Sequence, residues 1–351
     1  MRKTAIYRDN LFLAHNPGSD HPESPQRLRV IFDELDKEEV GSRFVYPQFE
    51  PASPAIIELN HTPELIKRVA ATTGKEHAYL DGDTRTSTDS YDAACLAVGA
   101  LIDGIRRLES GEIDNGFCLV RPPGHHAEHD QSMGFCLFNN VAVAARWAQE
   151  KQAKKRIMIV DWDLHHGNGT QHSFYDTDQV LYCSTHQYPY YPGSGAVIQT
   201  GNAVGEGFTV NVPLPGGQGD AEFARIFNEL FAPVAKQYQP ELILVSCGFD
   251  IYDGDPLGAM KVTPVGFAYM TRVMQQLADE LCGGKLLITL EGGYNLTGMR
   301  DGAMAVLGEL CGDPFPGYSL NLSTIKSLAT TKVECSPLMQ SISMQKNYWQ
   351  L

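Results

Sequence analysis

The stretch RIMIVDWDLHHGN, residues 156–168, places chemically active side chains directly after a predicted buried strand. It begins with a short apolar run, which is typical of an inner strand of a parallel sheet. Two carboxylates, Asp161 and Asp163, and two adjacent imidazoles, His165 and His166, follow this run. A strand that ends in four ionisable side chains predicts a functional site at one end of a sheet.

Similar apolar runs recur along the chain, and helical patterns lie between them. The runs, each bounded by charged residues, Gly or Pro, are 115–120, 179–184, 208–212, 241–246 and 285–290. The clearest helical patterns are 90–108, 220–236 and 263–281. This alternation predicts an α/β fold with a parallel sheet wrapped by helices. Since no repeat or linker divides the sequence, we expect a single domain over 1–351, with 313–351 as a packing arm or an oligomer contact.

Composition limits the classes of function. The 351 residues are 43% hydrophobic and carry a formal net charge of -14. This charge argues against direct nucleic-acid binding, which needs clustered Lys and Arg. Eight cysteines without a CxxC pair are typical of reduced thiols in the cytosol. Because the N-terminal residues lack the apolar core of a signal peptide and no run of about 18 apolar residues occurs, we expect a cytoplasmic protein without membrane partners.

Ionisable and polar side chains follow five of the predicted strands. The segments that carry them are 121–129, 161–166, 185–186, 247–257 and 291–295. In an open parallel sheet, ligands bind outside the carboxyl ends of the strands, where the connecting loops converge. A lone His or Asp in such a loop is more often a surface or capping residue. Five such segments together predict one shared site.

Asp163 and His165 are the first candidates for metal ligands. On an extended segment, residues two apart point to the same side, with Cα atoms roughly 6.6 Å apart. Asp250, after another predicted strand, could supply a third ligand. Catalytic zinc takes three protein ligands of His, Asp, Glu or Cys type and leaves a fourth position open. Carboxylates and imidazole without thiolates suit Zn²⁺ or Fe²⁺, and the residues alone leave both metals open.

Several motifs resemble, in order along the chain, the signatures of the histone deacetylase and acetylpolyamine amidohydrolase superfamily. They are RPPGHHA at 121–127, DWDLHHGNGT at 161–170, GFD at 248–250 with GDP at 254–256, and EGGY at 291–294, while HPESPQRL at 21–28 is similar to the N-terminal fingerprint. Trp162 and Asn168 resemble the class II branch and its bacterial relatives. The resemblance spans most of the chain and implies an arginase-like three-layer αβα fold around a mainly parallel eight-stranded sheet.

The resemblance implies a role for each residue around the metal. Asp163, His165 and Asp250 would be its ligands, and Zn²⁺ is the ion that the family implies. His125 and His126 would form a pair beside the attacking water. Of these two, His126 is expected to act first as general base and then as general acid, because the leaving amine cannot depart as an anion.

The same resemblance implies partners for the two histidines and a donor for the oxyanion. Asp161 would hold the first histidine of the pair, and Asn168 would hold the second. Many class I relatives carry Asp at the position of Asn168, and a neutral amide stabilises imidazolium less than a carboxylate does. Tyr294 would donate a hydrogen bond to the developing oxyanion. Gly292 and Gly293 would let the backbone turn into the site.

A tunnel for the acyl-bearing chain is implied as well. Gly134 and Phe135 would form one wall and Tyr191 the opposite wall, so that aromatic faces would pack against a methylene chain. Leu257 would lie near the rim. Asp83 would accept hydrogen bonds from substrate backbone amides. Relatives also bind two K⁺ ions, which implies one site at Asp161, Asp163, His165 and Ser184 and a second at carbonyls around Phe174, Thr177 and Val180.

The implied activity is zinc-dependent removal of acetyl or another short acyl group from acyl-lysine in a peptide or protein. An acetylpolyamine substrate is the alternative, but Leu257 gives the rim no charge for a second ammonium group. An arginase-type ureohydrolase needs further Asp ligands for two manganese ions, which 163–168 does not offer. An inactive acyl-lysine-binding module is disfavoured because both histidines, all three ligands and Tyr294 are retained.

Overall fold

The computed structural model describes residues 2–313, 315 and 322–351. Its strands are β1 (Thr4–Tyr7), β2 (Ala78–Tyr79), β3 (Arg85–Thr86), β4 (Asn115–Cys118), β5 (Ile157–Asp161), β6 (Val180–Gln187), β7 (Thr209–Leu214), β8 (Leu242–Cys247) and β9 (Leu286–Leu290). Seven of them form one all-parallel sheet in the order β1-β4-β9-β8-β5-β6-β7. The other two, β2 and β3, form a separate antiparallel pair.

Helices connect these strands. They are α1 (Leu11–Ala14), α2 (Gln26–Leu35), α3 (Glu38–Gly41), α4 (Pro54–Ile57), α5 (Pro63–Ala70), α6 (Ser90–Glu109), α7 (Asn140–Gln152), α8 (Asn168–Phe174), α9 (Asp220–Ile226), α10 (Ala232–Tyr238), α11 (Pro264–Cys282), α12 (Leu296–Cys311), α13 (Leu322–Ser327) and α14 (Ser336–Gln345). Short 3₁₀ turns cover Ala203–Gly205 and Leu328–Thr330.

Two of the three predicted helices are continuous, as α6 and α11. The third, predicted over 220–236, is divided into α9, a π-helical turn at Phe227–Phe231 and α10. The cause lies at Pro233, which has no N–H for a hydrogen bond to the carbonyl four residues earlier. The π-helical turn just before this proline lets the helix continue without that hydrogen bond.

Both faces of the sheet are covered. All residues of β4, β5, β8 and β9 are buried, and successive residues on a strand point to opposite faces. Helices α6 and α7 pack together against the sheet, and α2, α11 and α12 form a second packed group that also contacts it. The strands whose carboxyl ends carry the predicted site, β4, β9, β8, β5 and β6, are neighbours in the sheet. Their loops therefore converge in one place.

The prediction of a parallel sheet wrapped by helices is confirmed, but in the described part of the chain the sheet has seven strands instead of the eight that the resemblance implied. Beside β1, the Val45 N–H donates to Thr4 O at 3.0 Å, and Val45 O accepts from Ile6 N at 2.9 Å. The pairing stops after this single bridge. The next ladder donor would be Pro47, which has no N–H. The segment around Val45 therefore does not extend into an eighth strand.

The other edge of the sheet lies against the C-terminal part of the chain. On α14, the side chains of Ser341 and Gln345 donate to the carbonyls of Asn211 (2.9 Å) and Thr209 (3.0 Å) in β7. The indole N–H of Trp349 donates to a further carbonyl next to β7, at 2.9 Å. These bonds use backbone acceptors that an additional strand would need for pairing.

The cysteines agree with the prediction of reduced thiols. All eight are free and buried. Burial raises the pKa of Cys118 and Cys247 well above the ordinary value, so these thiols stay protonated. Among the residues that the structure describes, no helix has both the length and the apolar character needed to cross a bilayer.

Candidate active site

Three donor atoms meet beyond the ends of β5 and β8. Nδ1 of His165 lies 3.3 Å from Oδ1 of Asp163 and 3.1 Å from Oδ2 of Asp250. All three side chains are buried, and one ligand atom from each lies within 4.8 Å of the other two. A tetrahedral zinc ion with ligands at roughly 2.0–2.2 Å keeps neighbouring donor atoms about 3.3 Å apart. The three residues therefore fit one small divalent cation.

A turn made by a side chain brings Asp163 and His165 together. The extended segment expected here is wrong, because the strand ends at Asp161 and the following residues bend. The His165 N–H donates to Oδ1 of Asp163 at 2.9 Å, and the Leu164 N–H donates to Oδ1 of Asp250 at 2.8 Å. A carboxylate that accepts from the N–H two residues later forms an Asx turn. The two donors thus converge through a turn instead of through strand alternation.

The second of the two adjacent imidazoles points elsewhere. Nδ1 of His166 lies 2.7 Å from Oγ of Ser194, and its Nε2 lies 3.0 Å from Oε1 of Gln171. Burial, together with the neighbouring His186, lowers the pKa of His166 well below its ordinary value, so the ring stays neutral. His166 therefore links the loop that contains Ser194 to α8 and does not join the metal site.

Two buried carboxylates at one site favour a bound cation. Burial, with the nearby Asp163 carboxylate, raises the pKa of Asp250 to about 7. The Gly292 N–H donates to Oδ2 of Asp163 at 2.8 Å. A Cβ on residue 292 would lie 2.4 Å from Asp250 and 2.6 Å from Asp163, so no larger residue fits. Gly293, with φ at +116°, provides the turn in the backbone.

His125 is paired with a carboxylate. Its Nδ1 lies 3.1 Å from Oδ2 of Asp161, which also accepts from the Tyr182 hydroxyl at 3.0 Å. Burial alone would lower the pKa of His125, but the carboxylates of Asp163 and Asp161 outweigh it and raise the pKa to about 10. A cation at the metal site offsets the contribution of Asp163. The effect of Asp161 on the pKa of His125 persists, because Oδ2 of Asp161 lies 3.1 Å from Nδ1 of the ring.

His126 is paired with a neutral amide. Its Nδ1 lies 2.8 Å from Oδ1 of Asn168. An amide oxygen can only accept, so Nδ1 carries the proton and Nε2 keeps a free lone pair. Burial, followed by the nearby His125 and His165, lowers the pKa of His126 well below its ordinary value. His126 is therefore a neutral ring that offers an acceptor nitrogen.

Tyr294 lies in the segment after β9 and is held on two sides. Its N–H donates to Oδ2 of Asp255 at 2.7 Å. The Arg27 guanidinium lies 5.0 Å from the centre of its ring, and Nε of Arg27 donates to Gly293 O at 2.5 Å. Burial raises the pKa of Tyr294 well above its ordinary value, so the hydroxyl stays protonated and can donate.

Arg27 belongs to the fingerprint HPESPQRL, for which the sequence suggested no individual roles. Glu23 of the same motif is fully buried and lies 2.6 Å from Arg27 and 2.5 Å from Arg121. Nη2 of Arg27 also donates to Glu291 O at 2.5 Å. Removing one member of a buried ion-pair network leaves an uncompensated charge. This network therefore fixes the segment that leads to Tyr294. Its signal in the sequence is weak, because Glu23 precedes α2 and its other partner, Arg121, is 98 positions away in the chain.

Glu291 is a second residue whose role was not predicted, although it opens the EGGY motif. Its Oε2 accepts from the N–H of Gly124 (2.7 Å) and of His125 (3.2 Å), and its Oε1 accepts from the Ser246 hydroxyl (2.9 Å). Together with His125 and Cys136 it forms another cluster of possible metal donors. Burial raises the pKa of Cys136 well above its ordinary value, so no thiolate is available. Glu291 therefore holds in place the loop that carries Gly124 and His125.

One predicted tunnel wall lies between Tyr294 and the loop before β3. The ring centre of Phe135 is 6.0 Å from that of Tyr294, edge to face. The Phe135 N–H donates to Oγ1 of Thr84 at 3.2 Å, and this hydroxyl donates to Oδ1 of Asp83 at 3.2 Å. Gly134 has φ at +57°, and a Cβ there would lie 2.5 Å from the ring of His126. Gly134, Phe135 and Asp83 thus lie side by side.

Two adjacent tyrosines contact the site histidines, and the sequence predicted one of them, Tyr191. The Tyr191 ring lies edge-on to His126, with ring centres 5.1 Å apart. The Tyr190 ring stacks on His165 at 5.7 Å and 26°. The Tyr190 hydroxyl donates to Leu257 O at 3.0 Å and so connects this loop to the predicted rim. Tyr190 is a residue that the sequence reading missed, because either of two adjacent tyrosines could face the site.

The residues implied in potassium binding fall in two places. Ser184 pairs in register with Asp161, so it lies beside the metal ligands. Phe174 ends α8, the Thr177 N–H donates to Phe174 O at 3.4 Å, and Val180 begins β6. Binding of K⁺ at either place stays a prediction.

Comparison with known proteins agrees with this geometry. Residues 21–310 match the family described as "Histone deacetylase domain". Histone deacetylase 15 of Arabidopsis thaliana is 39% identical over 355 residues, which cover 99% of this chain and 62% of the relative. A probable deacetylase of Archaeoglobus fulgidus is 38% identical over 298 residues, which cover 84% of this chain and 82% of the relative.

A solved structure extends the comparison to three dimensions. The crystal structure of the HDA15 HD domain superposes with a TM-score of 0.89 at 37% identity, covering 99% of this chain and 95% of that one. The chain spans 62% of Histone deacetylase 15 and 49% of Histone deacetylase 5 from the same plant, so it is shorter than both of these relatives. Because the family match covers most of the chain and the fold agrees, the chain belongs to the histone deacetylase family.

Proposed function

We propose that this chain is a metal-dependent deacetylase that hydrolyses the side-chain amide of acyl-lysine, releasing acetate or another short carboxylate and the free amine. One observation carries the proposal: three buried donors suited to a divalent cation lie next to a neutral histidine with a free acceptor nitrogen. The donors Asp163, His165 and Asp250 would hold Zn²⁺, with Fe²⁺ as the alternative that the same ligand types suit.

The protein's own groups would manage the protons. The bound cation would polarise the scissile carbonyl and acidify the attacking water. Nε2 of His126 accepts the proton from this water and then delivers it to the leaving nitrogen, which needs a proton to depart as an amine. His125 keeps its proton through Asp161 and adds positive charge beside the developing oxyanion. The Tyr294 hydroxyl donates to the same oxyanion, since its raised pKa keeps it protonated.

The aromatic rings around the site would select an acyl group on a slender stem. Phe135 and Tyr191 approach the catalytic groups from two sides and offer faces that pack well against methylenes. Asp83, beside Phe135, would accept hydrogen bonds from the peptide that carries the lysine. The apolar Leu257 at the rim favours a peptide over an acetylpolyamine, which has a second ammonium group to place. The names of the relatives, histone deacetylases, suggest histones as one such substrate.

The decisive test compares substrates on purified, metal-loaded protein. We expect turnover of a fluorogenic acetyl-lysine peptide and a lower kcat/KM for N-acetylputrescine and acetylspermidine. A preference for the acetylpolyamines would transfer the proposal to that substrate class. Binding of the peptide without any turnover would instead indicate an inactive acyl-lysine-binding module.

A further inference from the structure

Glu128 is a carboxylate that reaches the catalytic pair through a single intermediate residue. Its Oε1 accepts a short hydrogen bond from Nδ2 of Asn168. Oδ1 of Asn168 in turn accepts from Nδ1 of His126 at 2.8 Å. Nδ2 of Asn168 has only weaker further contacts, to His126 O at 3.3 Å and to Sδ of Met133 at 3.5 Å. The hydrogen bond to Glu128 is therefore the strongest one that Nδ2 of Asn168 makes, and it fixes the orientation in which Oδ1 faces His126.

The orientation of the Asn168 amide decides where His126 carries its proton. An amide can rotate by a half turn and exchange its oxygen and nitrogen positions. In the reversed orientation, Nδ2 would face Nδ1 of His126, and the ring would have to move its proton to Nε2. That tautomer has no acceptor toward the attacking water. In the same orientation Oδ1 would face the Glu128 carboxylate, and two acceptors at hydrogen-bond distance repel each other.

Glu128 is itself firmly held. Its N–H donates to Gln131 O at 2.8 Å, and its carbonyl lies 2.9 Å from Nδ1 of His61. Nδ1 of His172 lies 2.8 and 2.9 Å from its two carboxylate oxygens. The hydrogen bond to Glu128 raises the pKa of His172, so the contact is charge-assisted. A carboxylate fixed in this way can impose an orientation on a neighbouring amide.

We propose that Glu128 is a positioning residue for the reaction: it holds the Asn168 amide so that His126 keeps its proton on Nδ1 and presents Nε2 to the substrate. Its catalytic consequence rests on the proposed deacetylase function. The tautomer of His126 does not depend on that function. A carboxylate at position 168 would hold the proton on Nδ1 of His126 by its charge. Here Glu128 has the same effect by fixing the orientation of the Asn168 amide.

Four substitutions separate orientation from charge and from stability. Glu128→Ala removes the acceptor, whereas Glu128→Gln keeps a neutral one. Asn168→Asp sets two carboxylates against each other, and the double variant Glu128→Gln/Asn168→Asp restores a donor opposite an acceptor. Glu309→Ala is the matched control, because Glu309 has a similar side-chain exposure (17% against 20%) and binds Arg272 away from the site.

With an acetyl-lysine peptide, we expect Glu128→Ala to lower kcat roughly 10- to 100-fold and to change KM by less than about two-fold. Glu128→Gln and Glu309→Ala should stay within about three-fold of the wild type. The double variant should recover at least about ten-fold over Asn168→Asp alone. Wild-type kcat in Glu128→Ala would overturn the inference, as would equal losses in Glu128→Ala and Glu128→Gln or a double variant no faster than Asn168→Asp.

A second readout needs no turnover. The ¹⁵N spectrum of histidine-labelled protein, assigned by comparison with His126→Ala, reports which ring nitrogen of His126 is protonated. We expect protonated Nδ1 in the wild type and in Glu128→Gln, and a mixture of tautomers in Glu128→Ala. An unchanged spectrum in Glu128→Ala would overturn the inference. If the wild type were inactive and Glu128→Ala still changed the tautomer of His126, the result would count against the proposed function and would support the role of Glu128.

Discussion

The two histidines that we propose are catalytic are adjacent in sequence and differ in the side chain that each one contacts. The rings of His125 and His126 lie 4.0 Å apart, and both are buried. His125 faces the carboxylate of Asp161 and has its pKa raised to about 10, whereas His126 faces the amide of Asn168 and has its pKa lowered. Burial lowers the pKa of both rings, and only at His125 do neighbouring carboxylates, Asp163 and Asp161, outweigh it. The charges that face each ring therefore give two identical side chains different proton states.

Removing the metal site should abolish the difference in function between the two histidines, because neither has a water to act on. Asp163→Ala or His165→Ala leaves an incomplete ligand set, and we expect loss of bound metal and of measurable activity together. Metal analysis and a peptide assay on the same samples check this. Full metal content with normal turnover in either variant would show that the ligands are misassigned.

Replacing each histidine separately tests the comparison itself. We expect His126→Ala to lower kcat by roughly 10³-fold, because it removes the general base, and His125→Ala to lower it by roughly 10- to 100-fold. Steady-state kinetics on both variants, with metal content measured alongside, give the ratio. Equal losses, or a larger loss in His125→Ala, would reverse the assignment of base and charge donor.

Tyr294 is the second group, after His125, that we propose stabilises the oxyanion. Tyr294→Phe should lower kcat by roughly 10²- to 10³-fold with little change in KM, since the lost hydrogen bond acts mainly in the transition state. Packing of the ring against Arg27 and Phe135 is retained in this variant. A kcat equal to that of the wild type would remove Tyr294 from the mechanism.

The smallest expected effect concerns Leu257, which we propose lies at the rim of the substrate site. Leu257→Glu should shift the kcat/KM ratio from acetyl-lysine peptide toward acetylspermidine by roughly ten-fold, because a partly desolvated ion pair forms only with the second ammonium group. Overall negative charge does not replace this contact, since it is screened beyond roughly 8–10 Å in physiological salt. Measuring both substrates on both proteins checks the shift, and an unmoved ratio would place Leu257 away from the substrate.

Much of the sheet could be predicted because its signals are local. Apolar runs mark β5 and β8 directly, and the motif residues Asp163, His165 and Asp250 follow strands that are neighbours in the sheet. The strand count was wrong because Val45 pairs with β1 for only one residue before Pro47 ends the ladder. A proline's effect on pairing depends on register, which local patterns do not specify.

Residues that act through distant contacts were missed for a related reason. Arg27 binds the carbonyl of Glu291, which is 264 positions away in the chain. Glu128 carries no sign of its role, since an acidic residue in a loop after a strand is most often solvated. Tyr190 and Tyr191 are chemically identical, and only the loop conformation decides which ring faces His165 and which faces His126.

The most direct test of the account is acetate release from an acetyl-lysine peptide while Zn²⁺ is titrated into metal-stripped protein. Because one buried Asp-His-Asp group can hold one ion, we predict no release without metal and a rise that reaches its plateau at one zinc per chain. Fe²⁺ in place of Zn²⁺ tests the alternative metal with the same stoichiometry. Release that is independent of metal, or a plateau only at two ions per chain, would contradict the account.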